Sequence, residues 1–253
     1  MKELTNKVAL ITGATGGIGR AAASRFAEEG AKLVLADLNE DAGESLAKEI
    51  RELGTDAIFV RTDVAKPHDH ERLVAAAMIN YGRLDAAFNN AGISDGPIPP
   101  GFIDYPLELW DRLIAVNLSG VFYAMRAQIP AMLKHGGGSI VNTGSIASQI
   151  GFAGVPGYVA AKHGVFGLSK VAAIEYGSKG IRCNVLAPGI IETPMTQAIL
   201  QNKQAHDMTT GGIPAGRVGR PEEIADMALW LCSARSSYAN GACFTVDGGY
   251  LAQ

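Results

Sequence analysis

Short apolar runs alternate along this chain with longer amphipathic stretches. The short runs are Val8–Thr12, Leu33–Asp37, Ala57–Arg61, Ala86–Asn89, Ser139–Thr143, Arg182–Ala187 and Phe244–Val246. They are rich in β-branched residues and alternate little between apolar and polar, the pattern of strands covered on both faces. Helices are predicted over Ile18–Glu29, Glu40–Leu53, His68–Asn80, Leu107–Leu133, Tyr158–Gly177 and Pro221–Cys232. Strands that alternate with helices pair in parallel through right-handed crossovers. The expected fold is α/β: a doubly wound, parallel, seven-stranded sheet with helices on both faces and a ligand at the carboxyl ends of its strands.

Two segments break the alternation. Ser94–Tyr105 is rich in Pro and Gly, and Thr193–Arg217 mixes Met195, Ile199, Leu200 and Met208 with polar residues. An insertion at the ligand end of such a sheet is the usual place for a substrate lid, expected here at about 193–217. No linker or repeat interrupts the rest, so residues 1–253 are expected to form one domain.

Composition narrows the class. With 47% hydrophobic and 19% charged residues, the chain can bury a large core. A net charge of −3 gives no electrostatic reason to expect nucleic acid or an anionic membrane as partner. Cys183, Cys232 and Cys243 are odd in number and widely spaced, which reads as reduced structural thiols rather than a disulfide framework or a zinc ribbon. No apolar stretch is long enough for a membrane span, and the first strand begins too early to leave room for a signal peptide. A cytoplasmic protein is expected. The five histidines lack metal-ligand spacing, and His68 and His70 are expected to be solvated at a helix start. No metal is expected.

The first strand runs into Thr12-Gly13-Ala14-Thr15-Gly16-Gly17-Ile18-Gly19. Glycines there let the backbone approach a pyrophosphate, and the following helix supplies N–H donors and the positive end of its dipole. Asp37 ends the second strand, where a carboxylate can accept from adenosine ribose hydroxyls and would repel a 2′-phosphate. No Arg or Lys stands at Thr15, Gly16 or Leu38 to pair with such a phosphate, so NAD is expected over NADP. The alternative for Asp37 is a helix N-cap or turn residue. Asp63, ending the third strand, could bond the adenine amino group or merely shape a turn.

Tyr158 and Lys162 share one face of a predicted helix. A free phenol titrates near 10, too high for a base at neutral pH, and a nearby ammonium favours the phenolate. Such a tyrosine can exchange a proton while a hydride moves. Ser145, just past the fifth strand, could hold the substrate oxygen. Asn117 lies on the apolar face of a helix, where its amide needs partners: either a local network or a water relay ending at Lys162.

Together these residues resemble the short-chain dehydrogenase/reductase family over essentially the whole chain. The elements fall in family order: Thr12–Gly19, Asp63, Asn89-Asn90-Ala91-Gly92, Asn117, Ser145, Tyr158-x3-Lys162, Asn184, and Pro188-Gly189 with Thr193. The resemblance implies a Rossmann-type NAD-dependent oxidoreductase that interconverts a secondary alcohol and a ketone. Tyr158 would be the general acid/base, with Lys162 binding the nicotinamide ribose and tuning it. Ser145 would polarise the carbonyl and Asn117 hold a water. Cofactor contacts are expected from Gly13, Thr15, Gly16, Gly17, Ile18, Gly19, Asp37, Leu38, Asp63, Val64, Asn90, Ala91 and Gly92. Tyr158, Lys162, Pro188, Gly189, Ile191 and Thr193 would complete them.

A homotetramer or dimer is implied, packed through the helices that carry Asn117 and Tyr158, where Ala160, Ala161, Gly164 and Gly167 permit close approach. The pocket is expected to be lined by Ile146, Phe152, Val155, Ile190, Ile191 and lid residues, favouring a hydrophobic or cyclic substrate. Two alternatives remain: a 3-oxoacyl-carrier-protein reductase, which Asp37 disfavours, and a non-catalytic NAD sensor on the same fold. A structural magnesium near Gln253 is a further family possibility, with only that terminal residue in its favour.

Overall fold

A computed structural model of the protein describes residues 2–96 and 101–253. Residues 97–100 of the Pro/Gly-rich segment therefore lie outside the described residues. Seven strands form one parallel sheet: β1 (Val8–Thr12), β2 (Lys32–Asp37), β3 (Ala57–Arg61), β4 (Ala86–Asn89), β5 (Gly138–Thr143), β6 (Ile181–Pro188) and β7 (Cys243–Val246). Their order is β3-β2-β1-β4-β5-β6-β7. The order reverses between β1 and β4, which pair in the register Ala9↔Ala86 to Thr12↔Asn89. At such a reversal the flanking loops part and leave a crevice beyond the strand ends.

The two faces are covered by different helices. Helices α1 (Gly17–Glu28), α2 (Glu40–Glu52) and α9 (Pro221–Cys232) pack Ala22, Phe26, Leu46, Ile50 and Ile224 against Ala9 and Ile11 of β1. Helices α3 (Pro67–Tyr81), α5 (Gly120–Leu133) and α6 (Pro156–Tyr176) pack Leu73, Val121, Met125, Ile129 and Val165 against Val8 and Leu10. Successive β1 side chains thus enter opposite cores, which is why the strand reads as an unbroken apolar run.

The predicted helix 107–133 is interrupted. It consists of α4 (Leu107–Ile114), a π-helical turn over Ala115–Ser119, and α5. A π-turn holds one extra residue per turn and re-aims the side chains around it, and Asn117 is the buried residue of this one. The 193–217 segment is also more ordered than a loop. It carries α7 (Gln197–Gln201) and α8 (Lys203–Gly211), the latter capped by Asn202, whose side chain accepts from Ala205 N–H at 3.1 Å.

No helix among the described residues is long and apolar enough to cross a membrane. The three cysteines are free thiols. His70 departs from the solvated position expected of it. It is only 1% exposed, and its Nε2 lies 2.9 Å from the Val64 carbonyl.

Candidate active site

A crevice of about 500 Å³ runs along the carboxyl ends of the strands. One end is built on β1. The Thr12 hydroxyl accepts from the N–H groups of Asn90 and Ala91, both at 3.1 Å, and so ties the tip of β1 to that of β4. Asn90 Nδ2 donates to Gly13 O at 3.2 Å. The glycine loop is thereby held too close for side chains. A Cβ on Gly13, which has φ +63°, would lie 2.8 Å from Ala91 Cα, and one on Gly19 would lie 2.0 Å from Gly13 O. No side chain caps α1, and Gly16, Gly17 and Ile18 at its start line the crevice. These donors and this close approach fit a pyrophosphate.

Asp37 stands at the end of β2 beside this loop. One of its oxygens accepts from Thr15 N–H at 3.0 Å and the other from Asn39 N–H at 3.2 Å. The cap of α2 is Asn39, which accepts from Ala42 N–H at 3.1 Å, so Asp37 is not the N-cap. Asp37, Leu38 and Val64 line the crevice, and Lys162 is the one basic residue among the described lining. Asp63 does not reach it. Its carboxylate accepts from Ala65 N–H at 3.1 Å and pairs with Lys66 at 3.6 Å, while Thr62 and Val64 on either side do line the crevice. Gly19 contributes only by letting the loop close.

The other end gathers the remaining candidates. Ser145, extended after β5, accepts from Ala147 N–H at 3.1 Å and donates its own N–H to Ser148 Oγ at 3.2 Å. Lys162 is 4% exposed; its Nζ donates to Thr143 O at 2.7 Å and lies 5.4 Å from the centroid of the Tyr158 ring. No carboxylate pairs with it among the described residues. Burial pushes its ammonium down to about 8. Burial also raises the Tyr158 phenol above its ordinary value, the Ser145 hydroxyl opposes that shift, and the charge of Asp95 adds to it. In the protein alone, burial is the dominant influence on the phenol.

The Asn117 side chain does not line the crevice. Its Nδ2 donates to Ile93 O and its Oδ1 accepts from Ile93 N–H, both at 2.8 Å. These two bonds satisfy the side-chain amide, and the amide in turn fixes the chain after Gly92. Asn184 is also held locally, donating to Ala239 O at 2.7 Å.

Pro188, Gly189, Ile190, Ile191 and Thr193 line the crevice beyond β6, together with Pro194, Met195 and Thr196 at the start of the lid segment. Ile146, Phe152 and Val155 are not in the lining; Phe152 instead leans on Tyr250 with ring centroids 6.3 Å apart. Gln253 donates to Gly212 O at 2.7 Å. No group of three His, Cys, Asp or Glu among the described residues is placed to hold a metal. Thr62, Thr143 and Gly144 were missed by sequence reasoning, although their places at or just beyond the ends of predicted strands were a usable signal. Val116 and Ile93 had none, since the π-turn and the Asn117 bridge bring them in.

The arrangement fits a nicotinamide dinucleotide: a glycine cradle for phosphates, a carboxylate at one end, and a Ser–Tyr–Lys group at the other. Comparison with known proteins agrees. The family model described as enoyl-(acyl carrier protein) reductase matches residues 13–251. Cyclohexanol dehydrogenase of Acinetobacter sp. (strain SE19) is 43% identical, with 99% of this chain and 97% of the relative covered. A 2,5-dichloro-2,5-cyclohexadiene-1,4-diol dehydrogenase of Sphingobium indicum is 39% identical, with 100% of each covered. The crystal structure of levodione reductase superposes with a TM-score of 0.94 at 35% identity, covering 98% of this chain and 99% of that one.

Proposed function

Because the chain belongs to the short-chain dehydrogenase/reductase family of nicotinamide-dependent oxidoreductases, we propose that it is an NAD-dependent dehydrogenase for a secondary alcohol on a hydrophobic ring. The observation that carries this reading is Tyr158, backed by Lys162 and next to Ser145, in the same crevice as Asp37. When bound, the nicotinamide supplies the hydride acceptor. In alcohol oxidation the Ser145 hydroxyl holds the substrate oxygen and Tyr158 takes its proton. Lys162 favours the phenolate that must do so, and a ribose hydroxyl would share its Nζ with Thr143 O. Asn117 acts as a positioning residue through Ile93. In reduction Tyr158 returns the proton.

NAD rather than NADP is supported by Asp37, which already accepts from two backbone N–H groups and, among the described residues lining the crevice, has no cation beside it to receive a phosphate. The ring substrate is supported by the apolar lining of Ile93, Ile190, Ile191 and Met195, and by the names of the two dehydrogenase relatives. The contact set proposed for the cofactor is the one expected from the sequence, with Asp63 and Gly19 acting at one remove.

We further propose that the whole chain is one domain working in the cytoplasm, and that α7 and α8 form its lid. Its assembly would be a homotetramer or dimer using α5 and α6. Phe122, Val171 and Ile174 are exposed there, and a Cβ on Gly167 would meet nothing within 4 Å.

The test is a fluorescence titration with NADH and NADPH, followed by turnover of cyclohexanol and substituted cyclohexanols. NADH is expected to bind at least about tenfold more tightly. Tighter NADPH binding with turnover of an acyl-carrier thioester would favour the acyl-reductase alternative instead. Cofactor binding without turnover of any alcohol or ketone would favour the sensor.

A further inference from the structure

His70 lies buried in the first turn of α3. Its Nε2 meets the carbonyl oxygen of Val64, in the turn between β3 and α3, at 2.9 Å. A carbonyl only accepts, so Nε2 carries the ring proton. The preceding residue pins the same turn: Asp69 accepts from Asp63 N–H at 2.8 Å. Gly120 of α5 also packs on it, since a Cβ there would lie 2.9 Å from Val64 O. Val64 itself lines the crevice with Asp37 and Leu38. A buried histidine thus holds the backbone of a residue that faces the proposed adenosine seat.

This imidazole has no role in the chemistry described above. Its other nitrogen, Nδ1, is buried and meets no donor among the described residues. Burial lowers the titration point of the ring, outweighing the Val64 carbonyl and the charges of Asp69 and Asp63, so at pH 7 the ring is neutral and Nδ1 is an acceptor. His70 lines a cavity of about 10 Å³, room for one water and nothing larger. Thr12 and Asn89 line it too. The Asn89 amide is already committed to Gln128 and Asn142. The Thr12 hydroxyl accepts from the N–H groups of Asn90 and Ala91, and its own proton reaches no acceptor among the described residues. A free lone pair and a free proton therefore border the same small space. Leaving either unmatched is costly, and one water satisfies both.

We propose that His70 is a positioning residue for the adenosine end of the cofactor seat: it donates to Val64 O from Nε2 and accepts at Nδ1 from one buried water, which itself accepts from the Thr12 hydroxyl. The inference rests on the dinucleotide reading and deepens it. The bridge joins two walls of the crevice, because Thr12 holds Asn90 and Ala91 while His70 holds Val64. It touches no reacting atom. Its effect therefore falls on affinity for the adenosine half of the cofactor and not on the hydride step.

The experiment joins imidazole NMR to binding. In the native protein labelled with ¹⁵N-histidine, one ring, absent from the spectrum of His70→Gln, should carry its proton on Nε2 and show an Nδ1 shifted by a donor. A proton on Nδ1, or an Nδ1 with the shift of a free acceptor, would overturn the inference. Binding is read with AMP, as a competitor of NADH fluorescence. His70→Phe should weaken AMP by about fivefold to tenfold. His70→Gln, whose amide can still donate to Val64 O, should lose less. The KM for NAD should rise with the loss of AMP affinity, while kcat and the KM for cyclohexanol at saturating NAD stay within about twofold. Unchanged AMP affinity in both variants, or an equal loss in every parameter, would overturn the inference and leave the cofactor reading intact. A native protein that binds neither AMP nor NADH would overturn that reading, and this inference with it. Should His70→Phe fail to fold, the native spectrum and His70→Gln still decide.

Discussion

At the residue scale, the proposed chemistry depends on two buried groups whose charges the fold does not favour. Tyr158→Phe removes only the phenolic oxygen. Turnover is expected to fall by about 10²–10⁴-fold, the usual worth of a general acid/base, while NADH affinity measured by fluorescence changes little. Lys162 is the more informative case for stability. Its native titration point of about 8, against 10.5 for an exposed lysine, corresponds to about 3 kcal/mol of disfavoured charge. The sign follows from linkage. Between those values the unfolded chain holds the proton and the native chain does not, so this group makes the protein more stable as pH rises from 8 towards 10.5, and its penalty is fully present below 8. Lys162→Met gives up the bond to Thr143 O but also the buried charge. The cofactor-free variant is expected to be more stable than the native protein by about 1–3 kcal/mol at pH 7 in urea denaturation, inactive, and less advantaged at pH 9.5. A variant less stable at pH 7 would show that the ammonium is better accommodated than its burial implies. The residue types at 158 and 162 were legible from spacing alone. The direction of the phenol shift was not, because a four-residue interval shows that a lysine is near but not how deeply the tyrosine is buried.

At the element scale, close approach decides the site. Gly19→Ala would drive a methyl group into the Gly13 carbonyl, 2.0 Å away. It is expected to cost about 3 kcal/mol or more and to weaken cofactor binding more than about tenfold. Gly151→Ala, where nothing lies within 4 Å of the added atom, should change stability by less than about 0.5 kcal/mol, with both variants followed by urea denaturation. The strands and most helices were readable because doubly covered strands give unbroken apolar runs and their helices give an apolar stripe. The break at Ala115–Ser119 was not, since a π-turn inserts one residue without disturbing the surrounding hydrophobic pattern. The helices of the lid escaped for another reason: α7 and α8 are short and largely exposed, so no buried stripe marks them. The same limits apply to the site. Residues just past strand ends, such as Ser145 and Gly189, follow from topology. Phe152 was misplaced because proximity in sequence to Ser145 says nothing of its packing on Tyr250.

At the scale of the whole molecule, Phe122, Val171 and Ile174 leave apolar side chains in solvent on α5 and α6, although most of the apolar side chains of these helices are packed inward. Val171→Asp combined with Ile174→Asp should reduce the sedimentation coefficient to that of a smaller species, with little change in the circular dichroism of the fold. An unchanged coefficient would move the proposed interface elsewhere. The pairing of α1 with α9 has a different consequence. The helix that opens the glycine loop buries Ala22, Ala23 and Phe26 in the same cluster as Ile224, Ala225 and Ala228, and Arg25 Nε meets Asp226 at 2.7 Å. About two hundred residues separate these partners along the chain. During translation the opening helix therefore emerges with a sticky flank that stays uncovered until residues 221–232 have been made. A ribosome stalled before residue 221 should hold a product that binds chaperones and, once released, precipitates rather than folds. The helix that prepares the cofactor's seat is also the one the growing polypeptide must shelter longest.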